Sequence, residues 1–377
     1  MSRVHLGDVA IEHKETCKED KSMYPIVGLE HLTPEQITLQ NWDLNTENTF
    51  TKVFRKGNIL FGRRRAYLKK AAVAPFDGIC SGDITVIEAK EDKIIPELLP
   101  FVIQDDDLFD FAVGKSAGSL SPRVKWTHLQ NYEFELPDKQ KQHELAKVLW
   151  AIEDTRKLYQ QLIKRTDELV KSQFIELFGE LGSDDKGWGL TTLGQCCELN
   201  PKRPRGINDE TMVSFVPMPA VSEDGKIDCS DIRSYKEVRK GFTYFAENDV
   251  LFAKITPCME NGKGAVARGL ENGIGSGSTE FHVLRPIAGK SNPYWLYIIT
   301  MFDTFRVGAR KVMTGTGGQL RVPIGYLNDY PISLPPIELQ NSFEEFVHQS
   351  DKSKFELNRA LDELTATYKQ IIKDNLG

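Results

Sequence analysis

The chain has 377 residues, 40% of them hydrophobic and 27% charged, and a formal net charge of −6. This length indicates about two domains, and this composition is typical of a folded protein rather than a disordered chain. No apolar run reaches the roughly 18 residues of a membrane span, and the N-terminus lacks a signal-peptide core, so we expect a cytoplasmic protein with no membrane partner. The six cysteines include no C-x-x-C pair, which argues against a disulfide framework or a zinc site.

The first predicted elements are short β-rich runs separated by Gly, Pro and Asn, among them residues 84–87. A long helix is predicted after Pro137, because proline often stands at the boundary just before a helix. The same order then returns, with a β-rich run at 281–284 and a second long helix after Pro336.

Short motifs of the first half recur in the second half in the same order. The matching segments are 6–9 and 193–196, 57–61 and 247–252, 78–82 and 273–277, 123–124 and 321–322, and 132–137 and 330–335. Their offset grows from 187 to 198 residues, as small loop insertions in the second copy would cause. Each match alone is weak, but the common order predicts an internal duplication.

Both long helices carry a seven-residue pattern with alternating spacings of four and three, which is typical of a coiled coil. The predicted seam consists of Leu145, Leu149, Ile152, Tyr159, Ile163 and Val170 in the first helix, and of Phe343, Val347, Leu357, Leu361, Leu364, Tyr368 and Ile371 in the second. Polar residues interrupt it at Arg156, Thr166, Ser350 and Lys354. The alternative is two separate amphipathic helices, each packed on its own domain.

Positive charge is concentrated in one part of the first half: residues 48–76 contain eight Lys and Arg and no acid. DNA-binding proteins use such cations for phosphates and use Arg, Lys, Asn, Gln, Ser or Thr for base edges. The candidates are Arg63, Arg64, Arg65, Tyr67, Lys69, Lys115, Ser119 and Arg123 in the first copy, and Lys202, Arg203, Lys254, Thr256, Asn261, Lys263, Ser276, Ser278, Arg310, Lys311, Thr316, Gln319 and Arg321 in the second. For any single residue a solvated loop is an equally good interpretation. Clustering at equivalent places in both copies favours a binding face.

Motifs for catalysis are missing from the sequence. It contains no phosphate-binding P-loop, no nucleophile elbow, no H-E-x-x-H metal motif and no Asn-Pro-Pro-Tyr or Asp-Pro-Pro-Tyr tetrad of adenine methyltransferases. Asp83, Glu88 and Lys90 resemble a metal-dependent nuclease centre. The two acids are five residues apart on one predicted strand, where they would face opposite sides, so charged residues at a strand end are the better interpretation.

Essentially the whole chain resembles the DNA specificity subunits of type I restriction-modification systems, and the second half is the most specific part of the match. The resemblance is carried by residues 250–263, by the segment 273–286, and by Leu334-Pro335-Pro336 followed by Gln340 and the helix residues 351–357. The first half is a looser match. It departs most at 63–70, where the second copy has 255–262.

This resemblance implies an α+β fold with two duplicated mixed recognition domains and two long helices in an antiparallel coiled coil, related by an approximate two-fold axis. It implies a first target-recognition domain at 1–136, a central helix at 137–180, a second recognition domain at 181–334 and a C-terminal helix at 335–377.

The resemblance also implies a non-catalytic role in a larger complex. Each recognition domain would read one half of a bipartite double-stranded DNA target. The helices would space the domains and dock two methyltransferase subunits, and restriction/translocase subunits would complete the complex. The chain itself would bind no cofactor, because S-adenosylmethionine, Mg²⁺ and ATP would be bound by its partners. An assembly scaffold without sequence readout, or a metal-dependent nuclease, are the alternatives.

Overall fold

The computed structural model describes residues 2–18, 21, 24–118 and 120–377. The chain divides into two compact units. Unit 1 comprises Met1–Gln161 and Leu357–Gly377, and unit 2 comprises Leu162–Glu356. Each unit therefore takes residues from both halves of the sequence.

Unit 1 contains nine strands among its described residues, and most of them are short. The strands are β1 (Ser2–His5), β2 (Ala10–Glu12), β3 (Ile26–Val27), β4 (Lys52–Phe54), β5 (Ile59–Gly62), β6 (Ala71–Val73), β7 (Gly78–Cys80), β8 (Ile84–Ala89) and β9 (Glu133–Leu136). The helices that begin in this unit are α1 (Leu6–Val9), α2 (Leu99–Ile103), α3 (Asp106–Gly114), α4 (Trp126–Leu129) and α5 (Lys139–Phe178).

The strands of unit 1 form one larger sheet and two smaller ones. The larger sheet has the order β2-β8-β5-β6 and is antiparallel throughout. A second sheet has the order β3-β7-β4, in which β3 and β7 are parallel, and β1 pairs with β9. Apolar residues of β5, β8 and α2 meet the long helices in a continuous core, where the Phe101 ring lies 5.2 Å from Trp150 and 6.1 Å from Tyr368.

Unit 2 repeats this series of elements. Its strands are β10 (Leu190–Thr192), β11 (Cys197–Leu199), β12 (Met212–Val216), β13 (Ile232–Ser234), β14 (Thr243–Ala246), β15 (Val250–Ala253), β16 (Gly264–Val266), β17 (Ile274–Gly277), β18 (Phe281–Pro286), β19 (Thr314–Thr316), β20 (Gln319–Arg321) and β21 (Pro331–Ser333). The helices that begin in it are α6 (Leu193–Cys196), α7 (Tyr235–Val238), α8 (Pro293–Met301), α9 (Asp303–Lys311), α10 (Ile324–Asp329) and α11 (Ile337–Leu376).

The sheets of unit 2 repeat the strand orders of unit 1, with one additional edge strand, β13, in the third sheet, which confirms the duplication. The order β11-β18-β15-β16 corresponds to β2-β8-β5-β6, and β10 pairs with β21 as β1 pairs with β9. In the remaining sheet, β13-β12-β17-β14, strands β12 and β17 are parallel, like β3 and β7. The β19–β20 hairpin has no counterpart among the described strands of unit 1.

The two long helices begin where the prolines predict. Each has 40 residues, and α5 starts two residues after Pro137 whereas α11 starts directly after Pro336. At the usual rise per residue, each is about 60 Å long. No described helix is both long and apolar enough to cross a membrane.

A buried glutamine fixes the first turn of each long helix. In unit 1 the Gln142 Oε1 accepts from the Ile95 amide at 2.9 Å, and its Nε2 donates to the Pro137 carbonyl at 2.8 Å. In unit 2 Gln340 makes the same two bonds, to the Asn292 amide and the Pro335 carbonyl, both at 2.9 Å. The two glutamines are 198 residues apart, the offset of the repeat.

The long helices pack together in an antiparallel arrangement, so the alternative of two separate helices is wrong. Within unit 2, Asp167 accepts from the Lys354 ammonium at 2.9 Å, and further along α5 the Phe174 ring lies 5.6 Å from the Phe343 ring. Moving forward on α5 therefore means moving backward on α11. Every residue of the predicted seam is buried or half-buried.

Candidate nucleic-acid interface

The end of β5 in unit 1 is held by two other segments of the chain. The amide of Arg63 donates to the Asp83 carbonyl at 3.0 Å, just before β8. The Val124 amide donates to the Arg63 carbonyl at 3.0 Å, and the Arg65 amide donates to the Pro122 carbonyl at 2.8 Å. The basic run therefore lies beside the segment that carries Arg123.

A single carboxylate anchors two arginines at this strand end. The Nε of Arg123 donates to Asp83 Oδ1 at 2.7 Å, and Nη1 of Arg64 lies 3.4 Å from Oδ2. The Nε of Arg64 also donates to the Ser121 hydroxyl at 2.5 Å. The hydrogen bond from Arg123 holds the pKa of Asp83 below its usual value despite partial burial, so this group is a carboxylate at neutral pH.

Unit 2 has the same backbone arrangement at the end of β15. The Lys254 amide donates to the Glu280 carbonyl at 2.9 Å, the Val322 amide donates to the Lys254 carbonyl at 2.9 Å, and the Thr256 amide donates to the Leu320 carbonyl at 3.0 Å. Lys254 is thus the counterpart of Arg63. The sequence comparison placed Ile255 opposite Arg63, which is wrong by one residue.

Glu280 takes the place of Asp83 in unit 2 and pairs with Arg321. The Nε of Arg321 donates to Glu280 Oε2 at 2.9 Å and its Nη2 donates to Oε1 at 2.8 Å, while Nη1 donates to the Gln319 carbonyl at 3.2 Å. These bonds hold the pKa of Glu280 below its usual value. The sequence analysis missed the role of both acids. An acid just before the strand in each copy, at an offset of 197, was the available signal.

Several candidates lie exposed on the surface. Arg65 and Tyr67 are exposed in unit 1, and Tyr67 keeps 55% of its surface in solvent. In unit 2, Thr316 and Gln319 flank the turn of the exposed β19–β20 hairpin. Its two turn residues, Gly317 and Gly318, have φ of 63° and 78°, a region that favours glycine and gives a tight two-residue turn. Lys202, Asn261 and Lys311 are also exposed.

Other candidates are engaged within the protein. Lys69 pairs with Asp106 at 2.5 Å and Arg310 with Glu260 at 2.9 Å. The remaining contacts are Lys115 over the Phe111 ring, Arg203 over the Tyr235 ring, Lys263 with the Met218 carbonyl, the Thr256 hydroxyl with the Leu320 carbonyl, and Ser278 with the Glu280 amide.

One candidate is excluded by its burial, and another is not described by the structure. Ser276 is 2% exposed and its hydroxyl donates to the Val238 carbonyl, so it has no surface to offer a ligand. Ser119 lies outside the described residues.

The residues of the nuclease hypothesis are committed to other contacts. Asp83 holds arginines, the Glu88 carboxylate lies 2.7 Å from His13 Nδ1, and the Lys90 ammonium donates to the Gly7 carbonyl at 2.7 Å. Among the described residues, no group of three or more His, Cys, Asp or Glu side chains is arranged to hold a metal ion.

Comparison with known protein families identifies the family of this chain. The model for the type I restriction modification DNA specificity domain matches twice, at residues 3–166 and 185–365, and so covers most of both halves. The chain belongs to the type I restriction-modification DNA specificity family. Members of that family are non-catalytic specificity subunits, and they contain duplicated target-recognition domains.

Two curated relatives from Escherichia coli support this membership. The type I restriction enzyme EcoAI specificity subunit is 35% identical over 241 residues, which is 60% of this chain and 40% of the relative. The EcoEI specificity subunit is 38% identical over 202 residues, 53% of this chain and 33% of the relative. The matched region thus spans less than half the length of either relative.

Two solved structures share the fold along nearly the whole chain. One comes from a study of complex assembly and conformational transition of the type I R-M system, with a TM-score of 0.56 and 20% identity, covering 99% of this chain and 97% of that chain. The other is the type I restriction-modification S subunit from M. genitalium, with a TM-score of 0.56 and 11% identity, covering 100% and 96%. At these identities the likeness is one of fold.

Proposed function

We propose that this specificity-family chain is the non-catalytic subunit that reads a bipartite double-stranded DNA target. Unit 1 reads one half-site and unit 2 reads the other. The observation that carries this proposal is the repeated strand end, where the same backbone bonds hold Arg63 and Lys254, and the same type of ion pair holds Arg123 and Arg321. A framework present twice, with different side chains around it, suits two half-sites of different sequence.

Exposed candidates in both units have the chemistry for this task. Arg65 and Lys202 supply cations for phosphates, which give most of the affinity of a DNA-binding protein. Gln319 and Thr316 on the hairpin carry groups that can bond to base edges. The adjacent glycines add no side chains, so backbone can approach a phosphate closely.

The partners we propose are two methyltransferase subunits and the restriction/translocase subunits of a type I complex. S-adenosylmethionine, Mg²⁺ and ATP belong to those partners in this proposal, and the complex acts in the cytoplasm. The long helices are the proposed docking elements. Helix α11 carries eight acidic and five basic residues, a balance that suits a protein partner better than DNA.

The test is a methylome measured by long-read sequencing, with and without this gene, in cells that carry the neighbouring methyltransferase. We expect a split motif that disappears on deletion. If no motif changes while the chain still binds the methyltransferase, the chain is a scaffold without sequence readout.

A second test assigns the half-sites. Arg65→Ala and Gln319→Ala are made as two separate variants, and the methylome is measured for each. We expect Gln319→Ala to relax the half of the motif that unit 2 reads, whereas Arg65→Ala, which removes a proposed phosphate contact, should lower methylation at every site of the motif without relaxing either half. The Arg65 variant should also show a shallower salt dependence of DNA binding, by about one phosphate contact. Relaxation of both halves in Gln319→Ala would contradict the assignment of one half-site to each unit.

We also propose that the long helices set the spacing between the half-sites. Seven residues add about 10 Å of helix, so one heptad inserted in both helices would lengthen the non-specific spacer by at most about 3 base pairs. The motif in the methylome gives the spacer directly. An unchanged spacer with intact half-sites would refute this role of the helices.

A further inference from the structure

The same acid–arginine pair stands at the same place in both units. Asp83 and Glu280 each precede the second strand of the larger sheet, β8 or β18, and each accepts from an arginine 40 or 41 residues further along. The residues beside the pair differ between the units. Arg64 forms an isolated β-bridge with Arg123 in unit 1, and Ile255 forms the equivalent β-bridge with Arg321 in unit 2. A feature kept in both units has a task that does not depend on the sequence being read.

The carboxylate holds one edge of each guanidinium. Arg123 uses Nε and Nη2, at 2.7 and 3.3 Å, and Arg321 uses Nε and Nη2, at 2.9 and 2.8 Å. A guanidinium has five N–H donors, so at least two remain available on the other side. The arginine side chains are 43% and 40% exposed, whereas Asp83 and Glu280 are 19% and 23% exposed. The acids thus lie on the inner side and the arginines face outward.

This geometry has two effects on DNA binding. A two-point contact fixes the orientation of a side chain that otherwise has many rotamers, so less entropy is lost when the outward N–H groups bind. The nearby negative charge also weakens the attraction between the arginine and DNA of any sequence, which comes from the net charge of the arginine. Both effects favour DNA that places an acceptor where the arginine points.

We propose that Asp83 and Glu280 are specificity-determining positioning residues. Each orients one arginine, Arg123 or Arg321, toward a phosphate of DNA that lies in the register set by the base contacts, and each suppresses binding of that arginine to non-target DNA. Exposed residues beside only one of the pairs, such as Thr316 and Gln319 of unit 2, are then left to distinguish bases. This inference rests on the proposed function, because it assumes that the two strand ends face DNA.

The test uses the complex with its methyltransferase subunits and two DNA duplexes. One duplex carries the split motif found in the methylome, and the other carries the same motif with the half-site of unit 2 scrambled. For Glu280→Gln we expect affinity for the target to fall about tenfold, the effect of one charge-assisted contact. Affinity for the scrambled duplex should rise, and its salt dependence should steepen by about one phosphate contact because one cation has been released.

Two further variants separate positioning from stability. Arg321→Lys keeps the charge but loses the two-point contact, so it should also lower the preference for the target. Asp231→Asn is the matched control, because this exposed acid pairs with Arg233 at 2.7 Å in the same unit, away from the strand end. It should leave both affinities unchanged. Thermal unfolding of each complex checks that the fold is kept.

The outcomes discriminate between the ideas. If Glu280→Gln weakens both duplexes equally with an unaltered salt slope, the pair is only structural and the inference is overturned. An unchanged ratio of the two affinities overturns it as well. If Glu280→Gln does not fold, Arg321→Lys decides by the same ratio. If the wild-type complex does not distinguish the two duplexes, the proposed function itself fails, and this inference fails with it.

Discussion

Gln340 offers a sharp test of how the second long helix is attached to unit 2. Its side chain is fully buried. The Oε1 accepts from the Asn292 amide at 2.9 Å, and the Nε2 donates to the carbonyls of Lys290 and Pro335 at 3.0 and 2.9 Å. Changing Gln340 to Ala removes all three bonds and leaves buried backbone groups without a partner.

The expected cost follows from these bonds. A buried intramolecular hydrogen bond contributes about 1 kcal/mol net, and a buried group left unsatisfied costs about 1–3 kcal/mol. Three lost bonds therefore predict that Gln340→Ala lowers the free energy of unfolding of unit 2 by about 3–4 kcal/mol. Gln142→Ala removes two bonds in unit 1 and should cost about 2 kcal/mol there.

Denaturant unfolding with amide hydrogen exchange measures this effect unit by unit. The Asn292 amide should lose about two orders of magnitude of protection in Gln340→Ala, and the Ile95 amide should lose protection in Gln142→Ala. Gln349→Ala is the control, because Gln349 is exposed on the same helix and should change stability by less than about 0.5 kcal/mol.

A loss below about 1 kcal/mol in Gln340→Ala, with the Asn292 amide still protected, would refute the reasoning. It would mean that the helix entry is held by apolar packing alone. Equal effects of Gln340→Ala and Gln349→Ala would lead to the same conclusion.

Three further changes test packing, charge and pH. Leu149→Ala should destabilise unit 1 by about 3 kcal/mol, because Leu149 is fully buried. Leu158→Ala, at a site that is 57% exposed, should cost far less. Equal effects of the two variants in denaturant unfolding would contradict this packing. Asp249→Ala should destabilise unit 2 by about 3 kcal/mol, because it leaves the Arg285 guanidinium without the carboxylate that lies 2.7 Å away. An unchanged midpoint of unfolding in urea would contradict this. Burial lowers the pKa of His282, so the neutral imidazole contributes its full stability to unit 2 above the ordinary histidine pKa. That contribution is lost as the pH falls through the folded-state pKa, by at most about 1.4 kcal/mol per pH unit. A His282→Gln variant with the same pH slope as wild type would refute this.

The sequence alone determined the features that depend on local order. The two 40-residue helices could be predicted because a repeating apolar pattern and a preceding proline are local signals. The strands at 84–89 and 281–286 followed from short β-rich runs. The duplication could be predicted from the common order of the short motifs, and the strand orders in unit 2 repeat those in unit 1.

Only the tertiary structure decided which side chains meet. Asp83 and Arg123 are 40 residues apart, and no local pattern joins them, because ion pairs between segments depend on how the strands are stacked. The same holds for Ser276, a plausible polar contact in the sequence that the fold buries in a central strand. The backbone hydrogen bonds likewise settled that Arg63 pairs with Lys254, one residue away from the alignment of 63–70 with 255–262.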